Sequence, residues 1–178
     1  MYWGEGTCFA ATSEDLVHWA PLEFDAGADR YLTHRDDGGT GSWDVHRVPG
    51  HRVLRPVLFP RPGRFDALLV EPGPPAVMTA QGVVLIYNGA QLTLDRDGTP
   101  VSVHYRPGMA LLDAAEPASP IWRDTDPLAL AGPPDFLEGQ VNDVCFAQAL
   151  VLFRGSWFLY YGMADSRIGC ATAPLHVP

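Results

Sequence analysis

Lysine is absent from the 178 residues: all twelve basic residues are arginine. That excludes lysine Schiff-base chemistry and a lysine phosphate clamp. Acids outnumber bases to a net charge of -9, which argues against a nucleic-acid partner, because neutralising phosphates takes a basic surface. The three cysteines, Cys8, Cys145 and Cys170, show no CxxC spacing and lie in strand-like runs, so they read as buried free thiols of a reducing compartment. No run approaches the roughly 20 apolar residues that span a bilayer, so no membrane partner is expected. The first residues lack the basic n-region and apolar core of a signal peptide, and no N-x-S/T site occurs. The expectation is a soluble, cytoplasmic chain. Nor is there an HExxH motif or a close histidine pair, a GK[ST] after the glycine-rich "GGTGSW" (38–43), or a GxSxG. No metal and no cofactor are expected.

Helical periodicity is also missing. Seventeen prolines and eighteen glycines punctuate the chain. Between them lie short runs rich in β-branched and aromatic residues, such as "GVVLIYNG", "VSVHYRPGMALLD", "VCFAQALVLF" and "SWFLYYGM". This is the punctuation of an all-β fold. Five arginines, Arg47, Arg52, Arg55, Arg61 and Arg64, follow one another with no acid between them, and read as a solvated connector.

A weak repeat emerges when the aromatic runs are stacked. "MYWGEG" (1–6), "LIYNGA" (85–90) and "LYYGMA" (159–164) share an apolar-aromatic-glycine centre. Each is followed by a run with small residues, "CFAATS" (8–13), "GMALLD" (108–113) and "IGCATA" (168–173). A strand pair reused three times suggests radially repeated sheets, about three blades of a β-propeller. A β-sandwich fits the pattern as well. Three blades do not close a circle, and open sheet edges would invite a homo-oligomer.

Carboxylates recur where these runs end. Glu71 closes "RFDALLVE" ahead of Pro-Gly-Pro-Pro, where a stiff turn would hold it. Glu138 has apolar residues before it and glycine after it. Asp113 ends "GMALLD", and Asp165 follows "LYYGMA". Amides and aromatics stand at the same ends: Tyr87 and Asn88, His104 and Tyr105, Asn142, Tyr160 and Tyr161. Carboxylates and amides take hydroxyl hydrogen bonds, and aromatic faces stack on C–H faces, which is what a sugar ring requires. Paired carboxylates are the usual machinery of glycoside hydrolysis.

"YWGEGTCFAATSEDLVHW", "RFDALLVEPGPPAVMTAQGVVLIYNG", "YRPGMALLD" with "IWR", "LEGQVNDVCF" and "WFLYYGMADSRIGCAT" resemble, in order, segments of glycoside hydrolase family 130. That family holds β-mannoside phosphorylases and β-1,2-mannosidases. The resemblance implies a five-bladed β-propeller with its site on the central axis, of which residues 1–178 form one domain, the C-terminal part. It implies a mannoside oligosaccharide substrate and an inverting reaction. The family's general acid lies in a motif resembling "EDPR", which has no match here, so the first blades are expected to be missing. Family phosphorylases carry a lysine ahead of the "GPP" turn and a histidine in a "YHG" strand, where this chain has Glu71 and Asn88. A like-charge contact at 4 Å costs about 4 kcal/mol at an effective dielectric of ~20, so Glu71 disfavours phosphate.

The expected function is therefore inverting hydrolysis of β-mannosides. Glu71 and Glu138 would be the carboxylates at the attacking water. Tyr87, Asn88, Tyr105, Asp113, Asn142 and Asp165 would bind the sugar. Two alternatives stand beside it: a phosphorylase that draws positive charge from the 47–64 arginines, and a truncated, non-catalytic carbohydrate-binding module.

Overall fold

The computed structural model describes residues 1–23, 33–35, 42–44, 54–130 and 138–175. Within them every regular element is a strand, as the punctuation predicts. In chain order these are β1 (Tyr2–Trp3), β2 (Cys8–Thr12), β3 (Ala20–Pro21), β4 (Thr33–Arg35), β5 (Ser42–Asp44), β6 (Pro56–Leu58) and β7 (Leu69–Pro72). There follow β8 (Val77–Thr79), β9 (Gly82–Leu94), β10 (Pro100–Leu112), β11 (Pro120–Arg123), β12 (Cys145–Phe153), β13 (Ser156–Met163) and β14 (Arg167–Pro174). The first sheet runs β1-β2-β3 with β6 also on β2. The second runs β11-β10-β9-β7 with β8 also on β9, and the third runs β12-β13-β14. β4 and β5 pair with each other.

The sequence repeat is a repeated hairpin. β1–β2, β9–β10 and β13–β14 pair antiparallel, with Tyr2 opposite Ala10, Tyr87 opposite Gly108 and Tyr161 opposite Gly169. In the second and third copies the tyrosine ring lies across the glycine. A Cβ on Gly108 would come within 3.0 Å of the Tyr87 hydroxyl oxygen, and one on Gly169 within 2.6 Å of Tyr161 Cζ. The missing side chain is the space the ring occupies.

β9 is apolar throughout its first half because both of its faces are covered. Val83, Leu85 and Tyr87 join Cys8, Ala10, Val57 and Leu58 of the first sheet in one core cluster. Ile86, on the alternate face, packs with Ala147 and Leu159 of the third sheet. Strand alternation divides the side chains between two interfaces, and burying a residue such as Leu85 contributes about 1.5–3 kcal/mol. Between the second and third sheets a cavity of about 390 Å³ remains, lined by Ile86, Met109, Leu128, Trp157, Leu159 and Ala171 among others. The far face of the third sheet carries exposed Val151, Phe153, Tyr160 and Ile168.

Pro72–Pro75 is not the turn expected. β7 and β8 both pair with β9, Pro72 opposite Tyr87 and Val77 opposite Val84, so residues 73–76 face only residues 85–86. The surplus bulges out of one interrupted strand, and the prolines fit because a bulge releases ladder positions.

In its described part, the arginine stretch is not a solvated connector either. Arg61 is buried, and Arg55 pairs with Glu116 at 2.6 Å and with Ser119 Oγ at 2.9 Å. Arg64 is exposed, while Arg47 and Arg52 lie outside the described residues. Arg61 belongs to a buried cluster centred on Asp66, which is wholly buried. Asp66 Oδ2 accepts from Arg61 at 2.8 Å, from Arg123 at 2.5 Å and from the Tyr87 hydroxyl at 2.8 Å. The Arg123 guanidinium also lies 5.0 Å from the Tyr87 ring centroid. Of the thiols, Cys8 and Cys145 are buried as expected, and burial pushes them up to about 12 and about 11. Cys170 is exposed, because none of the described residues covers its face of β14.

Two stability measurements follow. Gly108→Ala should lower the urea-unfolding free energy by about 1–3 kcal/mol, the cost of overpacking against a buried ring. Asp66→Ala should cost more, about 3–5 kcal/mol, because it strands two buried guanidiniums.

Candidate functional site

Glu71 stands on β7 opposite Asn88, half-buried. Next to it, the Val70 amide donates to the Gly6 carbonyl at 3.3 Å. This bond draws the Gly4–Gly6 bend of the first sheet, and with it Glu5, toward Glu71. The Glu71 carboxyl is held above its ordinary range, first by burial and then by the Glu5 carboxylate. Among the described residues, no cation offsets either cause.

Tyr105 is the point where the three sheets meet electrostatically. It pairs with Ala90 on β9, bridges to Val144 on its other side, and donates its amide to the Asp143 carbonyl at 3.3 Å. Its ring lies 5.6 Å from that of Phe146. Burial raises the phenol most, and Glu71, Glu5 and Asp165 raise it further. Those three acids come from the second, first and third sheets. A tyrosine between them can donate to a sugar oxygen, and the carboxylates can accept from hydroxyls or from water.

Asp165 and Glu138 share a support. Asp165 lies in the tight turn joining β13 to β14, where Ala164 and Asp165 have φ of 47° and 51°. Such left-handed backbone costs a non-glycine residue roughly 1–2 kcal/mol, and the neighbouring loop holds it in place. The Val141 amide donates to the Ala164 carbonyl at 3.2 Å, and the Gln140 amide to Ser166 Oγ at 2.8 Å. Gly139 sits so close that a Cβ there would come within 2.6 Å of Ser166 Oγ. Asn142 Oδ1 caps this loop by accepting from the Gly139 amide at 3.1 Å. Glu138 is exposed at the start of the same loop. Glu71 and Asp165 thus both act electrostatically on Tyr105, and the loop of Glu138 and Asn142 is fixed to the Asp165 turn.

Three expected sugar ligands stand elsewhere. Tyr87 is wholly buried and gives its hydroxyl to Asp66, so it is a core residue. Asn88 is wholly buried as well. Its amide accepts from the Ala147 amide at 2.8 Å and donates to the Ala147 carbonyl at 3.1 Å, stapling β9 to β12. Asp113 follows β10, six residues beyond the position paired with Asn88, about 20 Å away at strand rise. There its Oδ1 caps its own loop by accepting from the Ala115 and Glu116 amides. Sequence reasoning missed Glu5, Arg106 and Asp143. Glu5 carries one signal, a glycine on each side, and both glycines adopt positive φ.

The chain matches the family described as β-1,4-mannooligosaccharide phosphorylase over residues 42–177. It is 32% identical over 117 residues to a 1,2-β-oligomannan phosphorylase of a Thermoanaerobacter species, covering 66% of this chain and 36% of that one. A glycosyl hydrolase structure from Bacteroides ovatus superposes with a TM-score of 0.72 at 34% identity, covering 98% of this chain and 42% of that one. A second structure, with a TM-score of 0.71 at 35% identity, comes from work on mannoside phosphorylases whose family contains glycoside hydrolases targeting β-1,2 mannosidic linkages in Candida mannan. There the coverage is 98% of this chain and 42% of that one. The chain thus spans well under half the length of each of these relatives.

The raised Glu71 carboxyl has a checkable consequence. The folded state holds that proton more tightly than the unfolded chain, so stability falls as pH rises from the ordinary value of 4.5 through the folded one. Glu71→Gln should be more stable than the parent above that window and equal to it below about pH 4. Glu5→Gln should move the Glu71 titration, followed by carbon-13 NMR, down toward the ordinary value.

Proposed function

This chain belongs to glycoside hydrolase family 130, and on that premise we propose that it acts on β-mannosidic linkages, with water as the attacking group. What supports this reading is that Glu5, Glu71 and Asp165 all act electrostatically on Tyr105, with backbone bonds tying Val70 to Gly6, Tyr105 to Asp143 and Val141 to Ala164. Phosphate would meet like charge there. Among the described residues, Arg61 and Arg123 are engaged by Asp66 and Arg106 by Asp143. Water requires no cation and is activated by a carboxylate.

In the proposed step Glu71 takes a proton from water, with Glu138 as the second carboxylate near it. The water oxygen bonds to the anomeric carbon as the glycosidic carbon–oxygen bond breaks. The leaving oxygen takes a proton from a general acid on the opposite face, ~6.5–9.5 Å from the base in inverting enzymes. No "EDPR"-like motif for that acid occurs in the sequence. Tyr105, Asn142 and Asp165 would hold sugar hydroxyls. We read the three sheets as successive propeller blades, and the exposed far face of the third as the face a further blade would cover.

A second reading, phosphorolysis, rests on what the relatives are called. The family description names a phosphorylase, and so does the Thermoanaerobacter relative.

Incubation with β-1,2-mannobiose in heavy-oxygen water, with and without phosphate, separates the readings. The expected result is phosphate-independent mannose carrying label at the anomeric carbon. Glu71→Gln should lower kcat at least about 100-fold and leave mannobiose affinity nearly unchanged. Mannose 1-phosphate formed only with phosphate would overturn hydrolysis in favour of phosphorolysis. Binding without turnover of either kind would leave a carbohydrate-binding module.

A further inference from the structure

Beside the carboxylates lies a second polar cluster. The Asp143 carboxylate accepts from Arg106 on one oxygen and faces His104 Nδ1 with the other. Its carbonyl accepts from the Tyr105 amide at 3.3 Å and from the Arg106 guanidinium at 2.9 Å. Arg106 reaches back to the Tyr105 carbonyl at 2.7 Å. The other His104 nitrogen lies 2.7 Å from Thr93 Oγ1 and 2.9 Å from Ser102 Oγ. One loop residue thus grips three consecutive residues of β10, and does so from a left-handed backbone with φ of 60°.

The grip falls where β10 needs it. β7 accompanies β9 only as far as Ala90, opposite Leu69. Beyond that pair the β9–β10 hairpin runs on through Gln91–Leu94 and Pro100–His104 with its own ladder alone. Tyr105 stands at the root of this overhang. A ladder of two strands is marginal in water, and charge-assisted hydrogen bonds are the strong kind.

We propose that Asp143 is a positioning residue for the mannoside site. It latches the overhanging hairpin to the 138–143 loop, which fixes Tyr105 among Glu71, Glu5 and Asp165 and keeps Asn142 beside the Asp165 turn. The effect on sugar rests on the reading of that cluster as the site; the latch does not.

Asp143→Asn tests it in the full chain, because asparagine tolerates the left-handed backbone while losing the charge. Amide hydrogen exchange at Tyr105 should accelerate about tenfold or more, as expected for the loss of charge-assisted bonds, with Val70 unchanged. Affinity for β-1,2-mannobiose by calorimetry should fall by a similar factor. His104→Gln, which cuts one contact, should give the same pattern at smaller size, and serves if Asp143→Asn does not fold. Unchanged exchange at Tyr105 overturns the latch. Accelerated exchange with unmoved mannobiose affinity overturns its role in positioning. If the parent chain binds no mannoside, the site reading fails instead, and exchange at Tyr105 alone decides the latch.

Discussion

A carboxylate with no access to water has to be neutralised from within, and Asp66 sets that requirement at the heart of the fold. It recruits Arg61 from its own loop, Arg123 from β11 and the Tyr87 hydroxyl from β9. Three stretches far apart in sequence are thereby committed to one point. Arg61 also caps the Asp124 carbonyl at 2.5 Å, and Arg123 the Phe59 carbonyl at 2.9 Å, so the charges hold backbone as well as each other. A buried ion cluster of this kind adds little net stability over an apolar core, but breaking any member is severe. Its other effect is exclusion: the arginines tied to Asp66 are withdrawn from anything a ligand could reach.

That exclusion shapes the electrostatics around Glu71, which stands opposite Asn88 on the same sheet. Glu5, Glu71 and Asp165 arrive from three sheets without a cation among the forces that shift Glu71. Desolvation and then the Glu5 carboxylate both act against ionisation of Glu71. A carboxylate kept reluctant to ionise holds its proton more readily than a free one. Arg106, the guanidinium nearest in sequence to Tyr105, is tied to Asp143.

Much of the fold could be read in advance. Proline and glycine punctuation marks the strands, and the stacked aromatic-glycine runs are in fact the first strands of three antiparallel hairpins. What failed had a physical reason in each case. Pro-Gly-Pro-Pro has turn composition, yet the chain uses it as a bulge because β9 offers pairing on both sides of it. Asn88 stands opposite Glu71 and Tyr87 adjoins it, but β9 is covered on both faces, so neither side chain has an open side. Asp113 ends a strand like the other acids, but it ends it at the far rim. A sequence shows that a run ends without showing which rim it ends on. Glu5 and Asp143 went unnoticed because their partners are 66 or more and 37 or more residues away, as with Glu71 and Arg106, and no local pattern joins them.

β9 has a final consequence, for misfolding. Most strands with one wet face can slide by two residues and still bury an apolar stripe. β9 is keyed on both sides, with Tyr87 matched to Asp66 and Asn88 to the Ala147 backbone. A one-residue slip would turn both tips to the opposite faces, taking the hydroxyl from Asp66 and the amide from the Ala147 backbone at the same time. Two adjacent polar tips, pointing opposite ways, thus act as a double lock on alignment, and mispaired forms of the hairpin lose both partners together.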